Sequence, residues 1–340
     1  MSTIAVDAMG GDHGIESTLP ACARLSLTAA RGLRVTLVGD PEAIARGLAR
    51  HPHDPERLSV VASDGVVAMD AKPREALRAT PNASLPVAAR LVAAGEADAL
   101  VSAGNTGAVI LSCAEAFERL PGVRRAALAA VYPTELTHGP RGDPFALMLD
   151  VGANLRVSAE DLVSFAVMGS AYASVITGQP EPRVALLNNG SEASKGPPEY
   201  VEAFEKLSRH RGIAFMGNIE GIDILEGRSD VVVCDGFTGN VVLKMLEGVA
   251  ASVNRVARYA YRSRLRWKLA LALLGGGIRE IKELTDYRRY GGAPILGFDH
   301  LCLKAHGRST PRAIGNAIKV AAKAVDGGLL ERIHQSAETS

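Results

Sequence analysis

Cysteine is scarce and scattered: Cys22, Cys113, Cys234 and Cys302 stand far apart in a chain of 340 residues, with no CxxC pair and no histidine-rich neighbourhood. That spacing argues against a zinc site and against a thioredoxin-like dithiol, and it fits a reducing cytosol. Charge of one sign is missing too. The 38 Lys and Arg nearly cancel the 37 Asp and Glu, leaving a net charge of +1. No global attraction to nucleic acid follows, and any anionic partner must be held locally. Long apolar runs are also absent. The longest nearly uninterrupted one, Leu269 to Ile278, is about half of the roughly 20 residues a membrane-crossing helix needs. The first residues, Met1 to Asp7, lack the basic region and apolar run of a secretory signal, so a cytoplasmic protein is expected.

Several catalytic signatures are missing as well. The chain has no GxSxG elbow, no HExxH, no Walker A sequence and no GxGxxG fingerprint. A serine hydrolase, a zinc protease, a P-loop kinase and an ordinary Rossmann dehydrogenase therefore lose ground. None of the eight histidines shows paired metal-ligand spacing, and the expectation is no metal and no cofactor. His13 and His306 adjoin glycine-containing loops, but a hydrogen-bonded structural histidine is the simpler reading of each.

What is present is a 47% hydrophobic chain in which short apolar runs alternate with longer amphipathic segments. That alternation predicts βαβ units and a mostly parallel sheet covered by helices. Expected strands are Ile4–Val6, Val35–Val38, Leu58–Ala62, Ala99–Val101, Ala127–Val131, Phe145–Leu149, Val184–Leu187, Ile213–Met216 and Val231–Cys234. Expected helices include Thr106–Arg119, Ser158–Thr177 and Pro198–Arg211, the second opened by a Ser158/Asp161 capping signal. A longer helix is expected from Asn240 as N-cap, carrying an apolar stripe of Val242, Met245, Val249, Val253, Val256 and Ala260. It runs into a basic and apolar segment, three glycines and more helix to about Tyr287. One α/β body over residues 1–340, with residues 240–287 as a projecting helical hairpin, is the resulting organisation.

In a parallel sheet the polar loops after the strands gather on the carboxyl edge, which is where the site is expected. Ser102-Ala103-Gly104-Asn105-Thr106-Gly107 lies between a strand and a helix, where glycine lets backbone N–H groups approach an anion. A tight turn that simply needs glycine is the competing explanation. Asp235-Gly236-Phe237-Thr238-Gly239-Asn240 repeats the construction, and Asp7 to Asp12, with Gly10 and Gly11, and Asp150 to Asn154 bring further carboxylates and flexible backbone. Lys195, between glycines, suits a phosphate or a developing oxyanion, though a solvated surface lysine is the alternative. Glu220 follows another strand.

Taken in order, DAMGGD at Asp7–Asp12, SAGNTGA at Ser102–Ala108, DVGAN at Asp150–Asn154 and DVVVCDGFTGNVVLK at Asp230–Lys244 resemble the PlsX family of acyl-carrier-protein:phosphate acyltransferases. Ala166–Gly169, the Lys195 segment, YGGA at Tyr290–Ala293 and KAHG at Lys304–Gly307 extend the likeness from about residue 4 to 325. One departure falls at Arg78–Leu85, where the family usually carries a basic run and paired serines.

The resemblance implies a three-layer α/β/α architecture similar to isocitrate and isopropylmalate dehydrogenases. It implies a homodimer associated peripherally with the inner face of the cell membrane, near a downstream membrane glycerol-phosphate acyltransferase. The implied reaction moves a fatty acyl group from acyl carrier protein to inorganic phosphate, giving acyl phosphate for phospholipid synthesis. Phosphate is itself the nucleophile, so no enzyme nucleophile is required.

On this basis Gly10, Gly11, Ser102, Gly104, Asn105, Thr106, Gly107, Gly236 and Gly239 are expected to hold phosphate. Lys195 and Asn240 would stabilise the oxyanion, with Asp235 and Glu220 orienting them. Arg262, Arg264, Arg266, Trp267, Lys268 and Leu271 are the candidate membrane or carrier contacts, a dimer-packing hairpin being the rival role. A coenzyme A-linked phosphate acyltransferase and a non-catalytic membrane-associated scaffold are the alternative functions.

Overall fold

The computed structural model describes residues 2–29, 32–140, 142–263 and 292–338. Among these residues eleven strands form one sheet: β1 Ser2–Asp7, β2 Leu33–Gly39, β3 Leu58–Ala62, β4 Ala99–Ser102, β5 Ala127–His138, β6 Asp143–Leu149, β7 Arg183–Leu187, β8 Ala214–Ile219, β9 Val231–Val233, β10 Ala293–Leu296 and β11 Leu301–Lys304. Across the sheet they stand in the order β3-β2-β1-β4-β11-β10-β5-β6-β9-β7-β8. Neighbours pair in parallel except at β11/β10, β10/β5 and β5/β6.

These reversals overturn the expectation that the loops share one carboxyl edge. Strands β1, β4 and β11 end on one edge, while β6, β7, β8 and β9 run the other way and end on the opposite one. The reason is the β5–β6 hairpin, whose antiparallel register turns the second half of the sheet over.

Helices cover both faces. Packed on one are α1 Ile15–Thr28, α2 Pro41–Leu48, α6 Ala159–Thr177, α7 Pro198–Arg209, α9 Pro311–Asp326 and α10 Leu329–Glu338, which share a buried core with β1, β6 and β9. The other face carries α3 Pro73–Ala79, α4 Ser84–Ala93, α5 Thr106–Ala116 and the start of α8 Gly236–Ser263. The three-layer α/β/α expectation therefore holds. Helix α6 is long and apolar enough to cross a bilayer, yet 67% of its apolar window is buried in the core. Its start is a complete capping box between Ser158 and Asp161, as its sequence implied.

The long helix departs from expectation. It begins at Gly236, so Asn240 lies in its second turn and is no N-cap. Asp235 takes that role, accepting the Thr238 N–H at 2.9 Å and the Thr238 hydroxyl at 2.7 Å. Only the first turns of the apolar stripe pack inward, through Val242, Leu243 and Leu246. Met245, Val249, Val253 and Val256 face outward, each more than half exposed. The rest of the expected hairpin, including Arg264, Arg266, Trp267, Lys268 and Leu271, lies outside the described residues. Helix α5 also stops early, at Ala116. Phe117 turns extended and packs edge-on against Phe298, with ring centroids 6.1 Å apart.

Candidate active site

Where the first half of the sheet ends, three loops meet. Asp7, buried at the end of β1, accepts hydrogen bonds from the Ser84 hydroxyl at 2.6 Å, the Ser102 hydroxyl at 2.7 Å and the Gly10 N–H at 3.1 Å. The Asp12 N–H donates to the Gly307 carbonyl at 2.8 Å, which ties the β1 loop to the β11 loop. Glycine is obligatory at position 10, because a Cβ there would lie 2.2 Å from an Asp7 carboxylate oxygen. The departure at Arg78–Leu85 thus still supplies a serine to this junction.

Beside the junction opens a cavity of about 540 Å³. Its polar lining includes Asp12, Thr106, Asn240, Lys304, His306 and Ser309. Its apolar lining includes Ile110, Leu128, Ala130, Val131, Val151 and Leu243. The cavity lies on the α5/α8 face and crosses the sheet where strand direction reverses between β11, β10 and β5, so each half contributes one wall. Helix α8 enters by its second and third turns, bringing Asn240, Leu243, Lys244 and Glu247.

Two aspartates hold the walls in place. Asp150, buried after β6, accepts the N–H groups of Leu128, Gly152, Ala153 and Asn154 and the Asn154 side-chain amide, all within 3.1 Å. Burial raises its pKa against the pull of those bonds. Asp235 is half-buried; desolvation pushes its carboxyl up, but the bonds from Thr238 and Tyr200 prevail and hold it below the ordinary range. The start of α8 sits directly on the Asp150 loop: a Cβ at Gly239 would come 2.0 Å from the Asp150 carbonyl oxygen.

The residues named from sequence divide accordingly. Thr106, Gly107 and Asn240 line the cavity, and the Asn240 side chain donates to the Val151 carbonyl at 3.1 Å. Ser102, Gly10 and Gly104 stand beside it with their polar groups already used, since Ser102 donates to Asp7 and accepts from the Gly104 N–H. Gly11, with φ of 98°, lies against Ala103 and the Gly307 carbonyl. Asn105 caps α5, accepting from the Ala108 N–H and donating to the Met69 and Ala71 carbonyls. Gly236 and Gly239 give their N–H groups to Asn154 and Asp235.

Lys195 and Glu220 are exposed beyond the ends of β7 and β8 and are not among the lining residues. Asp235 reaches the cavity only through the helix it caps. Sequence reasoning assigned no role to Lys304, Ser309, Lys244 or the apolar wall. The apolar run Leu301-Cys302-Leu303 before Lys304 was the available signal, but it is short. No cluster of three or more His, Cys, Asp or Glu suited to a metal ion occurs among the described residues.

The fold is similar to that of solved phosphotransacetylases. The enzyme from Streptococcus pyogenes superposes with a TM-score of 0.64 at 17% identity, over 96% of this chain and 94% of that one. A 4-hydroxythreonine-4-phosphate dehydrogenase from Klebsiella pneumoniae shares the fold more distantly, with a TM-score of 0.52 at 16% identity over 96% of this chain and 100% of that one. In sequence, a family model described as "Fatty acid synthesis protein" matches residues 2–332. The proteins named "Phosphate acyltransferase" from Nitratidesulfovibrio vulgaris (strain DP4) and Alkalilimnicola ehrlichii are 40% and 41% identical, over 98% and 99% of this chain and 94% and 96% of their own lengths. The chain belongs to this family of acyltransferases, the PlsX family.

Proposed function

We propose that this protein moves a fatty acyl group from acyl carrier protein to inorganic phosphate, releasing acyl phosphate for phospholipid synthesis. The observation that carries the reading is the cavity itself, which joins polar groups at the start of α5 and the end of β11 to an apolar wall of Ile110, Leu128, Ala130 and Leu243. A phosphate needs the first and an acyl chain the second.

In the proposed step a phosphate oxygen attacks the thioester carbonyl. The C–S bond breaks as the C–O bond to phosphate forms, and the carrier's thiolate leaves and takes up a proton. Thr106 and the α5 backbone offer donors to phosphate, and Asn240 offers its amide to the oxyanion, each worth most where water is excluded. Asp235 acts as a positioning residue, fixing the helix start that carries Asn240.

The protein works in the cytoplasm as a homodimer resting on the inner face of the membrane, near the glycerol-phosphate acyltransferase that would consume its product. The outward stripe of Met245, Val249, Val253 and Val256 supports an apolar contact along α8. The deciding experiment supplies long-chain acyl carrier protein and labelled phosphate to purified protein without lipid. Acyl phosphate is the expected product; product from acyl-coenzyme A alone would move the assignment to a coenzyme A-linked enzyme.

A further inference from the structure

Lys304 is the last residue of β11, opposite Ser102 of β4 in the parallel register. It is 6% exposed, yet it lines the cavity. Its ammonium donates to two backbone carbonyls, those of Ala305 and, at 3.4 Å, Ala103. Among the described residues no carboxylate lies within ion-pair distance of it. Asp7 and Asp12 act on it from beyond that distance, and Asp12 is 3.5 Å from the Arg308 guanidinium.

Burying a cation without a counter-ion is costly, and such groups are found paired with an anion or neutralised. Carbonyl oxygens solvate an ammonium but carry no charge to offset it, and an ammonium with two carbonyl acceptors retains a third N–H. The cavity wall beside Lys304 is the first turn of α5, where Thr106 and Gly107 meet the positive end of the helix. A tetrahedral dianion seated there would complete both.

We infer that Lys304 is the charged ligand of inorganic phosphate in this cavity, a deepening that rests on the proposed acyl transfer to phosphate. Desolvation draws its pKa down to about 8, while Cys302, Asp7 and Asp12 pull the other way. A bound phosphate would hold the ammonium charged. Its place on a strand rather than a loop fixes the distance from the cation to the α5 backbone, which lets one site align phosphate for attack.

The test has two readouts. In the first, equilibrium dialysis with labelled orthophosphate is done on full-length wild type, Lys304→Gln and Lys304→Arg, with no acyl donor present. Wild type is expected to bind phosphate; Lys304→Gln should weaken binding at least tenfold, and Lys304→Arg should keep part of it. In the second, steady-state turnover should show the KM for phosphate raised at least tenfold in Lys304→Gln and the KM for the acyl donor little changed. Circular dichroism confirms that each variant is folded; if Lys304→Gln does not fold, Lys304→Met and Lys304→Arg supply the comparison. Wild-type phosphate affinity in a folded neutral variant overturns the assignment. Phosphate binding that depends on Lys304 without any acyl phosphate formed keeps the site and rejects the reaction.

Discussion

At the scale of single residues, the cavity separates groups that look alike in sequence. Asn240 and Lys195 both follow strands in glycine-rich segments, and the sequence suggests an oxyanion donor at each. Asn240 lines the cavity, whereas Lys195 is exposed after β7 and is not among the lining residues. In a chain acting alone, Asn240→Ala should lower kcat by roughly 10²–10³, the cost of losing a donor to a developing oxyanion, and Lys195→Ala should cost less. Single-turnover rates measure the ranking. The reverse order would mean that the loop after β7 reaches a cavity in another copy of the chain.

The same scale explains His138, which its sequence neighbourhood does not distinguish from the other histidines. It is buried, with Nδ1 at 2.5 Å from Asp230 and Nε2 at 3.0 Å from Thr134, and Arg183 shares the Asp230 carboxylate at 3.0 Å. Burial alone would raise the Asp230 pKa, but its His138 and Arg183 bonds bring it down to about 2. A depressed carboxylate contributes stability that is present above its unfolded pKa, about 3.9, and is lost as pH falls through the folded value. Acid unfolding followed by fluorescence should therefore show this contribution disappearing between about pH 4 and 2. In Asp230→Asn that part of the profile should be flat, and stability at neutral pH should fall by about 3–5 kcal/mol, because Arg183 and His138 lose their partner.

At the scale of elements, α8 does two jobs. Its first turns are fixed by Asp235, by the close seat of Gly239 on the Asp150 loop and by Leu243 and Leu246 in the core, and these turns deliver Asn240 and Lys244 to the cavity. Beyond them the helix leaves the body, and Val249, Val253, Val256 and Tyr259 are each more than half exposed. Such a stripe suits a membrane or a second copy of the chain. Replacing Trp267 and Leu271 with polar residues should reduce co-sedimentation with anionic liposomes severalfold while leaving circular dichroism unchanged. Unchanged sedimentation would favour a dimer contact, which analytical ultracentrifugation of the same variant would reveal.

At the scale of the whole molecule, the reversal of the sheet is the decisive feature. Because β10 and the β5–β6 hairpin turn the chain over, the cavity draws its lining from both sets of strand-end loops, Asp12, Thr106 and Lys304 from one and Val151, Gly152 and Asn240 from the other. Lys195 and Glu220 belong to the second set but follow β7 and β8, further along the sheet, and are not among the lining residues. A wholly parallel sheet would have gathered all of them, and the sequence pattern alone gives no sign of the difference.

Local sequence determined a good deal. All nine expected strands form, because each is an apolar run bounded by glycine or polar residues. The start of α6 is legible because a capping box is complete within four residues. The ordered loop motifs identified the family. What local sequence did not determine was strand direction, the N-terminal limit of α8 or the partners of its outer face. Direction depends on pairing between segments far apart, as when Ile295 of β10 meets Leu128 of β5. Lys304 was invisible for the same reason: its short apolar run is unremarkable, and only the tertiary structure sets β11 beside β4 and leaves a buried ammonium facing a cavity, with no carboxylate among the described residues in ion-pair range. Period and capping act over a few residues and can be read along the chain, whereas burial and charge balance are set by what folds against it.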